Sequence, residues 1–468
     1  MTDPSVADRR AELRRLFPEA FDDSGLNLNV LATLVGEPPP PDYALRWHGM
    51  EAAQAAAATP STATWVDDPD GGQTPSRNLF IEGDNLDALK LLRATHAGRV
   101  KLVCIDPPYN TGRDFVYADN YRDSVRSYRA RTGRRDGDTP GEVAGRFHTA
   151  WLNMMLPRLV LAREMLREDG ALIVFIDDNE VHNLRILLDM VFGTDHFIAT
   201  CAWQKSFAKK NKAPISGSHD HVLVVARDRS QWRRRLLPRT AEQARAYRNL
   251  DRDPRGVWRS VAFSVPSESE DRRRAYRYAV TTPSGAVLQP PPGRHWNGLP
   301  VRFDELLADN RLWFGPEGDR RPRVKLFLSE VQDGIVPDTW WTHEQYGHNQ
   351  GAKRELLRLF GDHEPFSTPK PTRLIRRILQ FATAPDTEDI VLDFFAGSGT
   401  TGAAVLRQNA EDGGNRSFVL VQNAAPTGQT EWPTIAAFAR ERLRREAALL
   451  TDGPPGLDLG FCALKTQP

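Results

Sequence analysis

The strongest constraint on the fold of this chain is a regular alternation of short apolar segments with amphipathic segments of helical length. The apolar segments predict buried strands at residues 79–81, 100–105, 171–176, 221–226, 390–394 and 418–422. Helices are predicted at residues 86–92, 150–167, 181–192 and 372–382, and after Gly399. Strands that alternate with helices form a mostly parallel sheet with helices on both faces. We therefore predict a doubly wound α/β fold.

The alternation stops between residues 227 and 345, where Arg, Pro, Trp and Gly are frequent and helical periodicity is lost. An irregular segment of this length is too long for a loop, so we predict an inserted domain. Residues 76–226 and 346–435 are then two halves of one core. Residues 1–75, with an amphipathic helix at 6–17 and a proline-rich break, form an arm and linker, and residues 436–468 a C-terminal helix and tail.

Composition narrows the class of protein. The net charge is only +1, and the three cysteines are far apart, which argues against disulfides and zinc-binding cysteine pairs. No apolar run has the length of a membrane span and no signal peptide is evident, so a cytoplasmic protein without a membrane partner is expected. His219 and His221 would share one strand face, but with no third ligand evident the sequence predicts no metal site.

The tetrapeptide Asp106-Pro107-Pro108-Tyr109 directly follows a predicted strand. Its two prolines lack backbone N–H groups, which leaves carbonyls with no competing amide. An exocyclic amine can donate one hydrogen to the Asp106 carboxylate and the other to the Pro107 carbonyl, and Tyr109 offers a ring for an extruded base. Taken alone, the motif also fits a proline-rich turn that merely ends a strand.

Residues 393–400 read DFFAGSGT, which also follows a strand and opens a helix. Gly397 and Gly399 allow the backbone to pass close to a ligand, and the helix N-terminus presents free amides. A phosphate-binding loop would have a lysine where Thr400 stands. Gly397, Gly399 and Gly402 match the GxGxxG spacing, so a nicotinamide or flavin site stays open.

Together these motifs resemble those of the β-class amino-methyltransferases of DNA, in which a DPPY motif precedes an FxGxG motif. Within this class the chain looks most like the modification (Mod) subunit of Type III restriction–modification systems. The resemblance covers residues 77–426. It rests on the ordered segments 80–89, 106–112, 145–148, 151–155, 347–350, 366–371 and 393–401.

The resemblance implies a circularly permuted, seven-stranded, Rossmann-like sheet of the S-adenosylmethionine-dependent methyltransferases, with residues 227–345 as target-recognition domain. It implies methylation of adenine N6 in double-stranded DNA, because the motif begins with Asp where N4-cytosine enzymes more often have Ser. An N4-cytosine methyltransferase and a catalytically idle DNA-recognition subunit are the alternatives. The implied catalytic residues are Asp106, Pro107, Pro108 and Tyr109. The implied cofactor-binding residues are Asp84, Asn85, Asp106, Lys370, Pro371, Asp393, Phe395, Gly397, Gly399, Thr400 and Asn423.

One position departs from the family pattern. The strand at 418–422 should end in an acidic residue that holds the ribose hydroxyls, but Asn423 follows it. An amide oxygen accepts weaker hydrogen bonds than a carboxylate. We therefore expect weaker cofactor binding than is usual for the family.

Contacts with DNA are expected from basic residues outside the two motifs. Residues 227–274 contain fourteen arginines against seven acidic residues, although a solvated surface explains this excess equally well. The expected DNA-binding residues are Arg113, Arg146, Lys205, Lys209, Lys210, Arg259 and Arg294, and His295 and Trp296 are further candidates for base contacts. A restriction or other defence-system subunit and a second copy of the chain are the expected protein partners.

Overall fold

The computed structural model describes residues 6–22, 25–36, 45–68, 75–112, 121–122, 127, 145–208, 214–267, 271–361 and 368–467. Within these ranges the chain forms one large sheet with helices on both faces and several smaller sheets. The predicted α/β architecture is confirmed. No helix in the described part of the chain is both long and apolar enough to cross a membrane.

The helices and strands of the described residues are numbered in chain order. The strands are β1 (Phe21–Asp22), β2 (Gly25–Leu26), β3 (Thr64–Asp67), β4 (Leu79–Glu82), β5 (Val100–Ile105), β6 (Leu166–Ile176), β7 (Phe197–Trp203), β8 (Asp220–Ala226), β9 (Trp258–Ala262), β10 (Ser264–Pro266), β11 (Val280–Thr281), β12 (Val287–Leu288), β13 (Arg294–Trp296), β14 (Leu312–Trp313), β15 (Arg323–Phe327), β16 (Trp340–Trp341), β17 (Ile390–Asp393), β18 (Ser417–Gln422) and β19 (Cys462–Gln467). The helices are α1 (Val6–Leu16), α2 (Leu28–Leu34), α3 (Met50–Ala58), α4 (Asn85–His96), α5 (Thr149–Met165), α6 (Val181–Phe192), α7 (Ala241–Arg245), α8 (Pro300–Ala308), α9 (His343–Tyr346), α10 (Asn349–Phe360), α11 (Thr372–Ala382), α12 (Thr400–Asp412) and α13 (Ile435–Ala448).

The large sheet has the strand order β16-β7-β8-β6-β5-β17-β18-β4-β19-β3 among the described residues. Strand β8 is antiparallel to β6 and β7, and β3 is antiparallel to β19. The other neighbours are parallel. The stretch from β7 to β4 corresponds to the predicted seven-stranded sheet, and β16, β19 and β3 extend it at its two edges.

Both faces of the central strands of the large sheet are buried, which explains the continuous apolar runs in the sequence. Successive side chains of a strand point to opposite faces. On β5, Val103 and Ile105 join the apolar cluster that contains α4, α5 and α6, whereas Leu102 and Cys104 join the cluster that contains α11, α12 and α13. All six residues of β5 are therefore buried, as is usual for central parallel strands.

Strands β5 and β17 lie side by side and parallel at the centre of the sheet. The chain leaves β5 for β6 on one side and leaves β17 for β18 on the other. The winding direction thus reverses between β5 and β17, and in such sheets ligands bind at the carboxyl ends of the strands at this switch point. Asp106 follows β5 and Asp393 ends β17, so both motifs of the sequence lie there.

Several elements of the sheet region differ from the sequence interpretation. Strand β7 was not predicted, although its sequence FIATCAW is largely apolar; most of its residues are only partly buried. Strand β19 lies in the segment interpreted as helix and tail, where it pairs with β4 and β3. In the segment interpreted as arm and linker, β3 joins the sheet, and α3 packs against α5 with Ala53 and Ala57 buried, because alanine allows close helix approach.

The inserted segment builds a small core of its own between residues 258 and 327. Strands β9, β14 and β15 form one sheet, and β10 pairs with β13 and β11 with β12. The apolar cluster beside them consists of Phe263, Val280, Trp296, Phe303, Leu306, Leu312 and Phe314. These strands have two to five residues, too few for a periodic signal in the sequence.

Candidate active site

The two sequence motifs meet at one cavity of about 260 Å³ at the carboxyl ends of β5 and β17. The predicted residues on its walls are Asp84, Asn85, Asp106, Pro108, Lys370, Asp393, Phe395, Gly397, Thr400 and Asn423. The predicted residues Pro107, Tyr109, Pro371 and Gly399 flank these positions along the chain. The 287 residues that separate Asp106 from Asp393 in sequence are therefore bridged by the pairing of the two strands.

The turn after β5 is fixed by hydrogen bonds from outside the motif. Trp151 of α5 donates its indole N–H to the Pro108 carbonyl at 2.7 Å. Asn110 adopts a φ of 58°, and its side-chain amide donates to Glu180 Oε1 at 2.6 Å. The Glu180 carboxylate, which is fully buried, also contacts His148 Nδ1 at 2.8 Å. These bonds hold the carbonyl side of the turn in one conformation.

Both carboxylate oxygens of Asp106 have partners. The Tyr109 hydroxyl donates to Oδ1 at 2.8 Å, and the Lys370 ammonium donates to Oδ2. Lys370 Nζ also lies 5.2 Å from the ring centre of Tyr109, 5.5 Å from that of Phe175 and 5.9 Å from that of Trp203. The aromatic faces stabilise the ammonium group by cation–π attraction. A target amine that binds Asp106 must therefore share or replace the Lys370 contact.

The loop after β17 is built around the buried Asp393 carboxylate. It accepts hydrogen bonds from the Phe395 amide at 3.0 Å and the Thr401 hydroxyl at 2.6 Å. Burial raises the pKa of Asp393 to about 7, against the two hydrogen bonds, and the nearby Asp106 carboxylate adds to the rise. Gly397 and Gly399 have φ values of 53° and 75°, in the left-handed region that favours glycine. The loop thus places an unusually basic carboxyl group against the cavity.

The third glycine of the GxGxxG spacing has a packing role. A Cβ at Gly402 would come within 2.8 Å of Leu443 and 2.9 Å of Leu420, so the glycine lets α12 lie close to α13 and β18. The cations on the cavity walls, Arg158 and Lys370, face carboxylate or amide oxygens of the chain. A pyrophosphate would have to compete with these contacts, which disfavours the nicotinamide or flavin alternative.

Part of the cavity wall is formed by the start of α4. Asp84 caps this helix by accepting from the Leu86 and Asp87 amides. Asn85 donates its side-chain amide to the Phe394 carbonyl at 2.7 Å and accepts from Arg158 Nε at 2.6 Å. The segment that matched the family around Asp84 is therefore bound directly to the glycine loop.

Two residues that support the site were missed in the sequence. Gln422, the last residue of β18, accepts from the Gly397 amide at 2.8 Å and donates to Asn423 Oδ1 at 2.8 Å. Gln422 is also the last residue of the strand predicted at 418–422, and this position at the carboxyl end of a strand could have identified it. Arg442 is buried beneath the loop and donates to the hydroxyls of Ser398 and Thr400 at 2.9 and 2.8 Å. It is one of several arginines on α13, and the sequence does not single it out.

The predicted DNA-binding residues have different environments. Arg113, Lys209 and Lys210 lie outside the described residues. The Arg146 guanidinium lies 3.7 Å from the ring centre of Phe147, and Lys205 is paired with the buried Asp220. Arg259 is exposed above the ring of Tyr247 at 5.7 Å.

The candidates on β13 have partners within the insert. Arg294 donates to the side chain and carbonyl of Ser264 within the insert. His295 is buried and bonded to the Ser267 hydroxyl at 2.8 Å, and Trp296 is part of the apolar core.

A sheet of this topology, with a cavity at the switch point and the Asp106 turn on its wall, has the fold class of the S-adenosylmethionine-dependent methyltransferases. Comparisons with known proteins agree. The chain matches the model of the family described as DNA methylase over residues 100–419. It is 30% identical to the Type II methyltransferase M.KpnI of Klebsiella pneumoniae, over 78% of this chain and 85% of that protein. The chain belongs to the DNA methylase family.

Within the family, the chain is similar to Mod subunits of Type III restriction-modification enzymes. It is 34% identical to the StyLTI Mod subunit of Salmonella typhimurium, over 90% of this chain and 65% of that protein. It is 27% identical to the EcoP15I Mod subunit of Escherichia coli, over 93% of this chain and 74% of that protein. The chain thus spans about two thirds to three quarters of the length of these relatives.

Proposed function

We propose that this chain transfers a methyl group from S-adenosylmethionine to N6 of adenine in double-stranded DNA. The observation that carries the proposal is the shared cavity, on which the Asp106 turn and the glycine loop after β17 converge. The similarity to Type III Mod subunits supports a role in restriction–modification. When bound, the cofactor supplies an electrophilic methyl group on a sulfonium.

The residues of the cavity fit such a cofactor. Asp393 offers a buried carboxyl group for a cationic amino-acid part, and Phe395, whose backbone amide donates to this carboxyl group, also lines the cavity. Asn423 and Gln422 offer amide groups at the end of β18, where a ribose can be hydrogen-bonded. We infer that Gln422 shares this task with Asn423. Isothermal titration of Asn423→Ala and Gln422→Ala tests it, and cofactor affinity unchanged in both variants would exclude the strand end from the site.

The acceptors at the turn prepare the amine for reaction. The Asp106 carboxylate and the Pro107 carbonyl each accept one hydrogen of the amine, which holds its nitrogen lone pair toward the cavity. Holding two reacting groups in line removes much of the entropic barrier to reaction. The methylated amine is cationic and loses its proton readily, so no separate strong base is required within the motif. Tyr109 provides the ring against which the extruded base stacks.

The wider assembly is part of the same proposal. Double-stranded DNA is the substrate, residues 227–345 select the target sequence, and a restriction subunit and a second copy of this chain are the protein partners. The similarity to proteins named as Mod subunits of restriction-modification enzymes supports it. Light scattering of the chain alone and with a candidate restriction subunit measures both associations.

Methyl transfer to unmethylated genomic DNA tests the function. Nucleosides from DNA treated with isotope-labelled S-adenosylmethionine are separated by mass spectrometry, which distinguishes N6-methyladenine from N4-methylcytosine. Label in adenine is expected for the wild-type chain, and Asp106→Ala should lose at least about 10²-fold of the rate while DNA binding is retained. Asp195→Ala, at an exposed site before β7, is the control. Label in cytosine, or none, contradicts the proposal.

A further inference from the structure

Two histidines at the start of β8 lie on the same face of the sheet. His219 and His221 are two residues apart, so their side chains point the same way. Their ring centres are 5.0 Å apart with an angle of 82° between the planes. The sequence predicted no metal site here because a third ligand was not evident.

The sheet supplies that third ligand from the end of β6. Strands β6 and β8 are antiparallel, and Ile176 pairs with His221. The chain therefore continues from Ile176 to Asp178 alongside the histidines. Asp178 Oδ1 lies 2.8 Å from His221 Nε2, and one ligand atom from each of Asp178, His219 and His221 lies within 4.8 Å of the others.

The surroundings of this cluster favour a cation. The carboxylates of Asp177 and Asp220 lie beside it. Of the ammonium groups near Asp220, Lys205 is paired with Asp220 itself and Lys370 with Asp106. The Asp178 side chain is 83% exposed and that of His221 21% exposed. An ion can therefore enter from solvent, and the exposed aspartate can rotate to meet it.

We propose that Asp178, His219 and His221 bind a divalent transition-metal ion such as Zn²⁺. Two imidazoles and one carboxylate are a common ligand set for zinc sites that keep one position for water. Ligands about 2.0–2.2 Å from a tetrahedral ion lie roughly 3.4 Å apart, so small side-chain rotations suffice. The ion joins the turn before α6 to the start of β8. It lies outside the methyl-transfer cavity, so the proposal is independent of the proposed function.

A metal-free alternative is a simple ion pair between His221 and Asp178. The two explanations differ at His219, which contacts His221 through its ring, whereas His221 is the histidine bonded to Asp178. For an ion pair, His219→Ala changes little. For a metal site, it removes one of three ligands.

The two explanations are distinguished by measuring Zn²⁺ binding to the untagged full chain in competition with a chromogenic chelator. Wild type should bind one Zn²⁺ at the cluster, with a rise in Tm on metal addition. Loss of a second-shell partner typically costs 10–100-fold in metal affinity, so His219→Ala and Asp178→Ala should weaken binding by about 100-fold or more. The matched control is His196→Ala. His196 precedes β7, whereas the other end of β7 pairs with Asp220 of the cluster's strand.

The outcomes are distinct. Zn²⁺ binding and a Tm rise that are lost in His219→Ala and kept in His196→Ala support the site. Wild type that binds no Zn²⁺, or binding that is equally strong in His219→Ala, overturns it. The Tm of metal-free His219→Ala shows whether the variant is folded, and Asp178→Asn, which keeps the side-chain shape, repeats the test at the third ligand.

Discussion

The cavity at the carboxyl ends of β5 and β17 and the inserted segment both contain charged residues, but these charges have different partners. At the carboxyl ends of the central strands, Asp106, Lys370 and Asp393 line one cavity. In the insert, charges pair with each other or with hydroxyls, as in Arg311 with Glu330 and Arg294 with Ser264. The charges at the cavity can bind a ligand, whereas the charges of the insert mainly stabilise its small fold.

The comparison predicts that a charge removed from the insert costs stability. Lys325 is fully buried between Asp251 and Asp253, with its ammonium nitrogen 3.1 Å from Asp253 Oδ2. The Arg255 guanidinium lowers the pKa of Asp253 most strongly, and Lys325 lowers it further. Removing one partner of a buried ion pair typically costs at least about 3 kcal/mol. Lys325→Ala should therefore increase hydrogen exchange in β9 and β15 by about 100-fold.

The same variant tests whether the two regions are separate. Exchange in β5 and β17 and binding of S-adenosylmethionine should stay unchanged in Lys325→Ala. Arg302→Ala removes an exposed ion pair with Glu305 and is the control, with an effect below about 1 kcal/mol. Faster exchange throughout the chain would show that insert and sheet unfold together.

Removing a charge from the cavity should instead lower the activity. Lys370→Met keeps the length of the side chain but removes the ammonium that holds the Asp106 carboxylate. We expect kcat for methyl transfer to fall by about 30-fold, because the acceptor is no longer oriented, while the Tm changes little. Lys465→Met removes a lysine that pairs with Asp68 at the far edge of the sheet. Equal kcat values in the two variants would mean that Lys370 only covers the site.

Asp393 should give cofactor binding at the cavity a pH dependence near neutral pH. With a pKa of about 7, its ionised fraction rises about tenfold between pH 6 and pH 8. Titration calorimetry should show S-adenosylmethionine binding about tenfold tighter at pH 8, and Asp393→Asn should remove this dependence. A wild-type affinity that does not change with pH would mean that the cofactor does not contact the ionised carboxylate.

The free protein should show the opposite trend in stability. The pKa of Asp393 is higher in the folded than in the unfolded chain, so its contribution is fully present below about pH 4 and is lost as the pH rises through 7. Asp393→Asn should flatten the decline of the unfolding free energy over this range. Thermal unfolding without ligand measures it.

Sequence reasoning succeeded where burial is two-sided and failed where it is not. The β5 strand and its Asp-Pro-Pro-Tyr turn were predictable, because a run of six buried residues and a rare tetrapeptide are local signals. Strand β7, which is partly exposed, was missed although its sequence is largely apolar. The strands of the insert have two to five residues, too few for a periodic signal. Contacts such as Lys370 with Asp106 join residues 264 positions apart, and no local pattern reports them.

The smallest expected effect separates two arginines of the insert that the sequence treated alike. Arg259 is exposed, so it can contact a DNA phosphate, whereas the guanidinium of Arg294 is bonded to Ser264. Arg259→Ala should weaken DNA binding a few-fold, and the slope of log affinity against log salt should fall by about 0.9 for one lost phosphate contact. Arg294→Ala should leave that slope unchanged. Fluorescence anisotropy at several salt concentrations measures both variants, and equal slopes would show that exposure in the free chain does not identify the DNA-contacting face of the insert.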